Sequence, residues 1–228
     1  MSETAPDIVP VDDRDAEGRP LRSGEIRDGR FYGQFTAYAD GGRPSMRARM
    51  HADLLHGEVR HYDGDGALVQ VAEFAEGVQQ GVTTFYANSR PTCRMTYRAG
   101  VLDGPSVFFN DNGTVAATFP YRAGKRDGEA MYYSPQGSLI RRETYVDGQL
   151  RGPALAFFDN GAVSERCEFR AGLLEGELCR FFPSGKVMQR GVYQRGVLVE
   201  ALRTFSEDGK EIAAVQPPKP AGGAARAP

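Results

Sequence analysis

Gly152-Pro153-Ala154-Leu155-Ala156-Phe157-Phe158-Asp159-Asn160-Gly161, followed by Phe169-Arg170-Ala171-Gly172-Leu173-Leu174-Glu175-Gly176, decides the fold. An aromatic residue stands five positions after the first glycine and a second glycine nine after it. A second aromatic follows at seventeen and a third glycine at twenty, and then the pattern starts again. The first glycine recurs outward from this stretch as Gly33, Gly57, Gly81, Gly104, Gly128, Gly152 and Gly176, with steps of 24 residues and a single step of 23. The first aromatic recurs as Tyr38, Tyr62, Tyr86, Phe109, Tyr133, Phe157 and Phe181. The second glycine recurs as Gly42, Gly66, Gly113, Gly137, Gly161 and Gly185, with Arg90 in its place in the short unit. The second large apolar position holds Met50, Phe74, Tyr97, Tyr121, Tyr145, Phe169 and Tyr193. The third glycine recurs as Gly77, Gly100, Gly124, Gly148, Gly172 and Gly196, with Asp53 in the first unit. Half-units flank the array, with Ile26 and Gly29 before it and Phe205 and Gly209 after it.

Such a period is the signature of a repeat architecture. The segments between glycines are too short for helices, are rich in aromatic and β-branched residues, and are bounded by Gly, Asp and Asn, as strands in hairpins are. Each unit reads as one β-hairpin. Asp111-Asn112-Gly113 and Asp159-Asn160-Gly161 mark hairpin turns, and Ala123-Gly124 and Asp147-Gly148 mark the return to the next unit. The predicted fold is all-β, an elongated single-layer antiparallel meander of about 16 strands. An even period keeps equivalent side chains on one face. The residue missing from the 23-residue unit is placed in the Asn88-Ser89-Arg90-Pro91 turn, because a deletion within a strand would invert every following side chain. The repeat domain is predicted over 24–212. Residues 1–23 are expected to be a disordered acidic tail, and 213–228, rich in Pro, Gly and Ala, a second disordered tail.

Lys and Arg number 28 against 30 Asp and Glu, for a net charge of −2. That balance argues against nucleic acid, whose partners carry a basic footprint. The N-terminus has neither a basic nor an apolar region of the kind that directs secretion. Three cysteines without a paired spacing do not make a disulfide framework. The expectation is a reduced, cytoplasmic protein.

The stretches Gly104–Gly113 and Gly152–Gly161, with Tyr121-Arg122-Ala123-Gly124 and Phe169-Arg170-Ala171-Gly172 after them, resemble the MORN repeat variant found in bacterial YwqK-type antitoxins. The resemblance covers residues 24–212. It implies a non-enzymatic protein that binds another protein, with a toxin as the candidate partner. Other MORN proteins are linked to membrane lipid, which gives the alternative reading. The family offers no catalytic motif or cofactor to carry over.

The residues themselves suggest where a partner would bind. Arg142, Arg166 and Arg190 take one position in three successive units, and Arg98, Arg122 and Arg170 form a second row near the return turns. Either row suits an acidic protein surface or anionic headgroups; the bland alternative is a solvated face neutralised by Glu143, Glu165 and Glu168. Phe108, Tyr132 and Phe158, beside the ladder aromatics, are candidate exposed anchors. His51, His56 and His61, five apart with Asp53 and Asp63 nearby, invite a metal reading, but that spacing alternates faces and they are expected to be incidental. Asp63-Gly64-Asp65-Gly66 reads as a hairpin turn, because a calcium loop would need a glutamate where Phe74 stands. Cys167 and Cys179 flank a return turn; if Phe169 faces Glu177 they face each other, as a redox pair or as two reduced thiols.

Overall fold

The computed structural model describes residues 8–218. Among them are 21 strands and no helix. Every strand pairing is antiparallel and follows chain order. The count exceeds the expected 16 for two reasons. Leu54–Leu55, Lys125–Arg126 and Leu173–Leu174 stand apart as two-residue strands. Val9–Arg14 and Glu211–Val215 add a strand at each end.

Those end strands correct the expected tails. Residues 9–27 form a hairpin in which Val9–Arg14 pairs with Pro20–Arg27. The acids expected to keep this segment unfolded are used within it. Asp13 meets Arg22 at 2.5 Å across the strands. Asp15 Oδ1 accepts from the Glu17 and Arg19 N–H groups in the turn. Residues 213–215 likewise belong to the sheet, with Leu202 opposite Val215. The remainder of both expected tails, 1–7 and 219–228, lies outside the described residues.

The chain divides into two compact units, one of residues 8–115 with Pro120–Lys125, the other of Ala116–Phe119 with residues 126–218. Both are built alike. The return turns are two-residue turns with both residues at positive φ: Glu76 and Gly77 at 49° and 77°, Ala171 and Gly172 at 51° and 78°. This primed geometry matches the twist of the flanking strands. The hairpin turns are longer. In Ser134–Ser138 the Gly137 N–H donates to Ser134 O and the Ser134 N–H donates to Ser138 O. The short unit confirms its deletion site. Tyr86 pairs with Pro91, whereas Tyr62 pairs with Leu68, so one residue is missing from the loop, and Asn88 and Ser89 form a two-residue turn.

The first glycine of each unit marks an interruption of the ladder. Phe74 pairs with Gln79 before Gly81, and Val71 pairs with Thr84 beyond it, a slip of two residues. An even slip leaves every side chain on its own face. One row of mostly small side chains therefore runs through the middle of one face. In the first unit it includes Ala48, Val59, Ala72, Thr83 and Ser106, the last four at 0% exposure. In the second it includes Ala130, Glu143, Ala154, Cys167 and Leu178. Among the described residues no second layer covers this row, and flanking side chains do so: Phe169, Leu174 and Tyr193 pack against Ala154, Cys167 and Leu178.

Candidate functional site

The opposite face carries the arginines. In the second unit Arg142 pairs with Leu155, Leu155 with Arg166, Arg166 with Cys179, Cys179 with Arg190, and Arg190 with Arg203. Arg142, Arg166 and Arg190 thus stand in one row across the strands, as their repeat position implies. Arg170 lies four residues along the strand from Arg166 and faces the same way. In the first unit the equivalent row holds Arg47, Arg60, Val71, Thr84 and Arg94. Arg47 and Arg94 occupy the same repeat position as Arg142, and sequence reading passed over them; stepping back from Arg142 by two periods finds Arg94 and by four finds Arg47. Arg98 belongs to this face of the first unit and pairs with Asp103 at 3.5 Å. Arg122 ends the strand Val115–Arg122.

The neutralising acids differ from those expected. Arg142 meets Glu129 at 3.3 Å and Arg166 meets Glu177 at 3.5 Å, while Arg60 meets Glu58 at 2.6 Å. Glu165 takes Arg180 instead, and Glu143 takes Arg141. Arg47, Arg94 and Arg190 lie over the rings of Tyr62, Phe109 and Phe205. The side chains of Arg60, Arg142 and Arg166 and of their three acids are 43–58% exposed. Exposed pairs of this kind contribute on the order of 0–1 kcal/mol, so a partner's carboxylates could replace them at little cost.

An aliphatic ladder runs beside the arginines. Leu54, Val78 and Val101 in the first unit, and Leu173 and Val197 in the second, each follow a return turn, and each is 42–51% exposed. Val101 pairs with Arg98 and Leu173 with Arg170, which puts ladder and arginines on one face. Four of the five rungs sit near the next turn's glycine: Leu54 by Gly77, Val78 by Gly100, Val101 by Gly124 and Leu173 by Gly196. Sequence reading ranked aromatics as anchors and missed this row. The expected anchors are not exposed. Phe108, Tyr132 and Phe158 are all half-buried. Tyr132 turns to the buried row instead, its ring 5.4 Å from Phe119 and its hydroxyl 3.1 Å from Glu143.

Glu143 is the buried charge of the second unit, 5% exposed. Its carboxylate accepts from Tyr145 Oη at 2.9 Å, Tyr132 Oη at 3.1 Å and Arg141 Nε at 2.5 Å. Burial alone would raise its pKa. The hydrogen bonds from Arg141 and Tyr145, with the Arg141 charge, override that and hold the carboxyl below its ordinary value. Burial, then hydrogen bonding to Tyr145, pushes the Tyr132 phenol up. Arg126 lies 4.1 Å over Phe119 and 5.3 Å from the Tyr145 ring. The cluster is satisfied from within, and it knits four strands together.

The cysteines do not face each other. Arg166 stands opposite Cys179, so Cys167 aligns with Leu178 on the other face. The slip of two residues at Gly176 sets this register, and nothing in the spacing announces it. All three thiols are free and buried. Burial pushes each of them up.

Of the three histidines, two meet. His51 Nδ1 and His56 Nδ1 lie 3.4 and 3.3 Å from one oxygen of Glu76. The bend between Leu55 and Gly57 overcomes the alternation that should have separated them. His61 pairs across to Gln70 instead. Asp53 accepts from the Phe31 N–H, and Asp63 caps its own turn through the Asp65 and Ala67 N–H groups. Asp63–Gly66 is the hairpin turn its composition indicates.

No curated protein matches the chain. Among solved structures, an S. aureus TarM mutant in complex with Fondaparinux, alpha-GlcNAc-glycerol and UDP is 12% identical, with a TM-score of 0.25, over 49% of this chain and 19% of that one. The TcdB2-TccC3-Cdc42 structure is 10% identical, with a TM-score of 0.16, over 92% of this chain and 16% of that one. The chain thus spans about a fifth or less of the length of these proteins, and likeness this low bears on neither fold nor function. Residues 174–195 match the MORN repeat variant, and the units before that segment share its opening bulge and its return turn at positive φ.

Proposed function

We propose that the protein is a non-enzymatic binding scaffold whose arginine-bearing face docks an acidic surface of one protein partner, as an antitoxin or immunity protein covers its toxin. One observation carries this reading. Five of the seven units place arginine at the same position, as Arg47, Arg94, Arg142, Arg166 and Arg190, and in each compact unit that row lies on the face that carries the exposed aliphatic ladder. Arginine beside apolar side chains is the composition of protein interfaces. Regular spacing fits a partner covering many repeats at once, with no chemistry required of the scaffold. Glu58, Glu129 and Glu177 share this face, and acids there oppose an anionic membrane surface.

The test is affinity purification of the tagged protein from its native host, beside the Arg142→Glu/Arg166→Glu/Arg190→Glu variant. The reading expects one stoichiometric protein that the variant fails to retain and that elutes with salt. Equal retention by the variant overturns the assignment of the face. Capture of no protein, together with salt-sensitive sedimentation on anionic vesicles, replaces the reading with a lipid scaffold.

A further inference from the structure

We propose that His51, His56 and Glu76 form a binding site for one divalent transition-metal ion of the zinc class. Zinc bonds to imidazole nitrogen and carboxylate oxygen run about 2.0–2.1 Å. In a tetrahedral site, ligand atoms at those distances stand about 3.3–3.4 Å apart. The two nitrogen-to-oxygen separations are 3.3 and 3.4 Å. All three ligand atoms lie within 4.8 Å of one another, so small rotations of exposed side chains close the remaining edge.

The backbone holds the three positions in place. His51 ends the strand Pro44–His51. The His56 N–H donates to Arg49 O at 2.9 Å, which fixes the bend that brings His56 round. Glu76 occupies the next return turn, and its neighbour Gly77 donates to Leu55 O at 2.8 Å. The site therefore bridges consecutive repeats. The His51 ring is further set by an edge contact with Tyr32, at 5.3 Å between centroids. In the tautomer protonated at Nε2, both Nδ1 lone pairs face the Glu76 oxygen, and a cation among the three atoms would bind them all. Two imidazoles and one carboxylate suit zinc and its neighbours rather than calcium or magnesium. The cluster opens on a surface concavity of about 410 Å³, where water completes the coordination. Such an ion would clip two repeats together and stabilise them by mass action.

The experiment is calorimetric titration of the untagged full-length protein with zinc chloride, repeated with cobalt(II) while its visible absorption is recorded. One zinc per chain is expected, with the intense cobalt bands of a tetrahedral site. His56→Ala and Glu76→Gln should each weaken binding at least tenfold, since perturbing even the groups behind a metal's ligands costs about 10–100-fold. Both residues are solvent-exposed, so unchanged circular dichroism is expected of the variants. His61→Ala should bind as the parent does. Absence of stoichiometric uptake overturns the site and leaves His51 and His56 as hydrogen-bond partners of Glu76. Equal weakening by His61→Ala and His56→Ala also overturns it, because binding would then be diffuse.

Discussion

Gly152 lies directly across the ladder from Phe169. The same cross-strand pair recurs as Gly57 with Phe74, Gly128 with Tyr145, and Gly176 with Tyr193. The two most regular marks of the repeat are thus one structural device. A residue without a side chain stands opposite the ring, and the ring packs over the buried central row. The glycine also takes the positive φ at which the ladder slips.

These glycines differ in what a methyl group would meet. At Gly152, φ is 95° and a Cβ would find open space. Gly152→Ala then costs only the left-handed backbone penalty, about 1–2 kcal/mol. At Gly104, φ is 125° and a Cβ would lie 2.9 Å from Cβ and Cγ2 of Thr96. Gly104→Ala should cost more than Gly152→Ala, by about 1 kcal/mol or more, because Thr96 is branched and cannot retreat. Urea unfolding of the two variants gives the order; equal midpoint shifts would contradict it.

Glu143 makes the stability of the second unit pH-dependent. Its folded pKa lies below its ordinary value. A depressed carboxyl stabilises the fold above its unfolded pKa, and that stability is lost as pH falls through the folded value. The loss should therefore begin below about pH 4.5. Glu143→Gln should lower stability at pH 7 by about 1–3 kcal/mol, since it weakens a charged, buried acceptor. It should also flatten the acid limb of the profile. Urea midpoints at pH 7 and pH 3.5 for parent and variant read both effects, and an equal difference at the two pH values would remove Glu143 as the cause.

The repeat made the fold legible because its period is even and its turns are punctuated. Glycine and aromatic positions give the hairpins, their register within a unit and the site of the deletion. Two features stayed hidden. The slip at each first glycine depends on backbone conformation, so the partners across a unit boundary could not be counted from spacing. The two-residue return turn puts Cys167 and Cys179 on opposite faces and the slip then sets Arg166 against Cys179, while the bend at the equivalent slip brings His56 to His51. Burial within a single sheet depends on how flanking side chains fold over it, so Tyr132 read as exposed although it bonds Glu143. The arginine row was legible because it needs nothing but the period. The acidic terminal hairpin was not, because net charge does not show that Asp12, Asp15 and Glu17 pair with Arg14 and Arg19 nearby, and Asp13 with Arg22 across the strands.

The register also fixes the cysteine chemistry. Cys167 and Cys179 project from opposite faces, and every thiol is both buried and shifted up. Thiolate is the reactive form, so native thiols in this state are inert. At pH 7.5 the folded protein should react slowly with a thiol reagent and release three thiols at once when unfolded. A disulfide between Cys167 and Cys179 should not form under mild oxidation; mass spectrometry after trapping detects it, and finding it would refute this register.

The short unit offers a gain in stability. Asn88 and Ser89 have φ of 49° and 62°. Such turns favour Asn-Gly, and here only the first residue conforms. Ser89 thus holds a left-handed conformation that a side chain disfavours, by roughly 1–2 kcal/mol. Glycine removes that strain but loses more entropy on folding, about 0.5–1 kcal/mol. The net for Ser89→Gly is a gain of about 0.5–1 kcal/mol, read as a higher urea midpoint with an unchanged slope. Adding a residue to this turn is the opposite case. An inserted glycine after Ser89 restores the 24-residue period, but the neighbouring strands already pair as Tyr86 with Pro91 and Ala87 with Arg90. The extra residue is then confined to the turn and should leave the rest of the sheet in register. Hydrogen exchange at Thr83, which is in the buried row, would report any slip: protection kept in the insertion variant places the tolerance in the turn, and protection lost there would mean that the strands themselves had shifted.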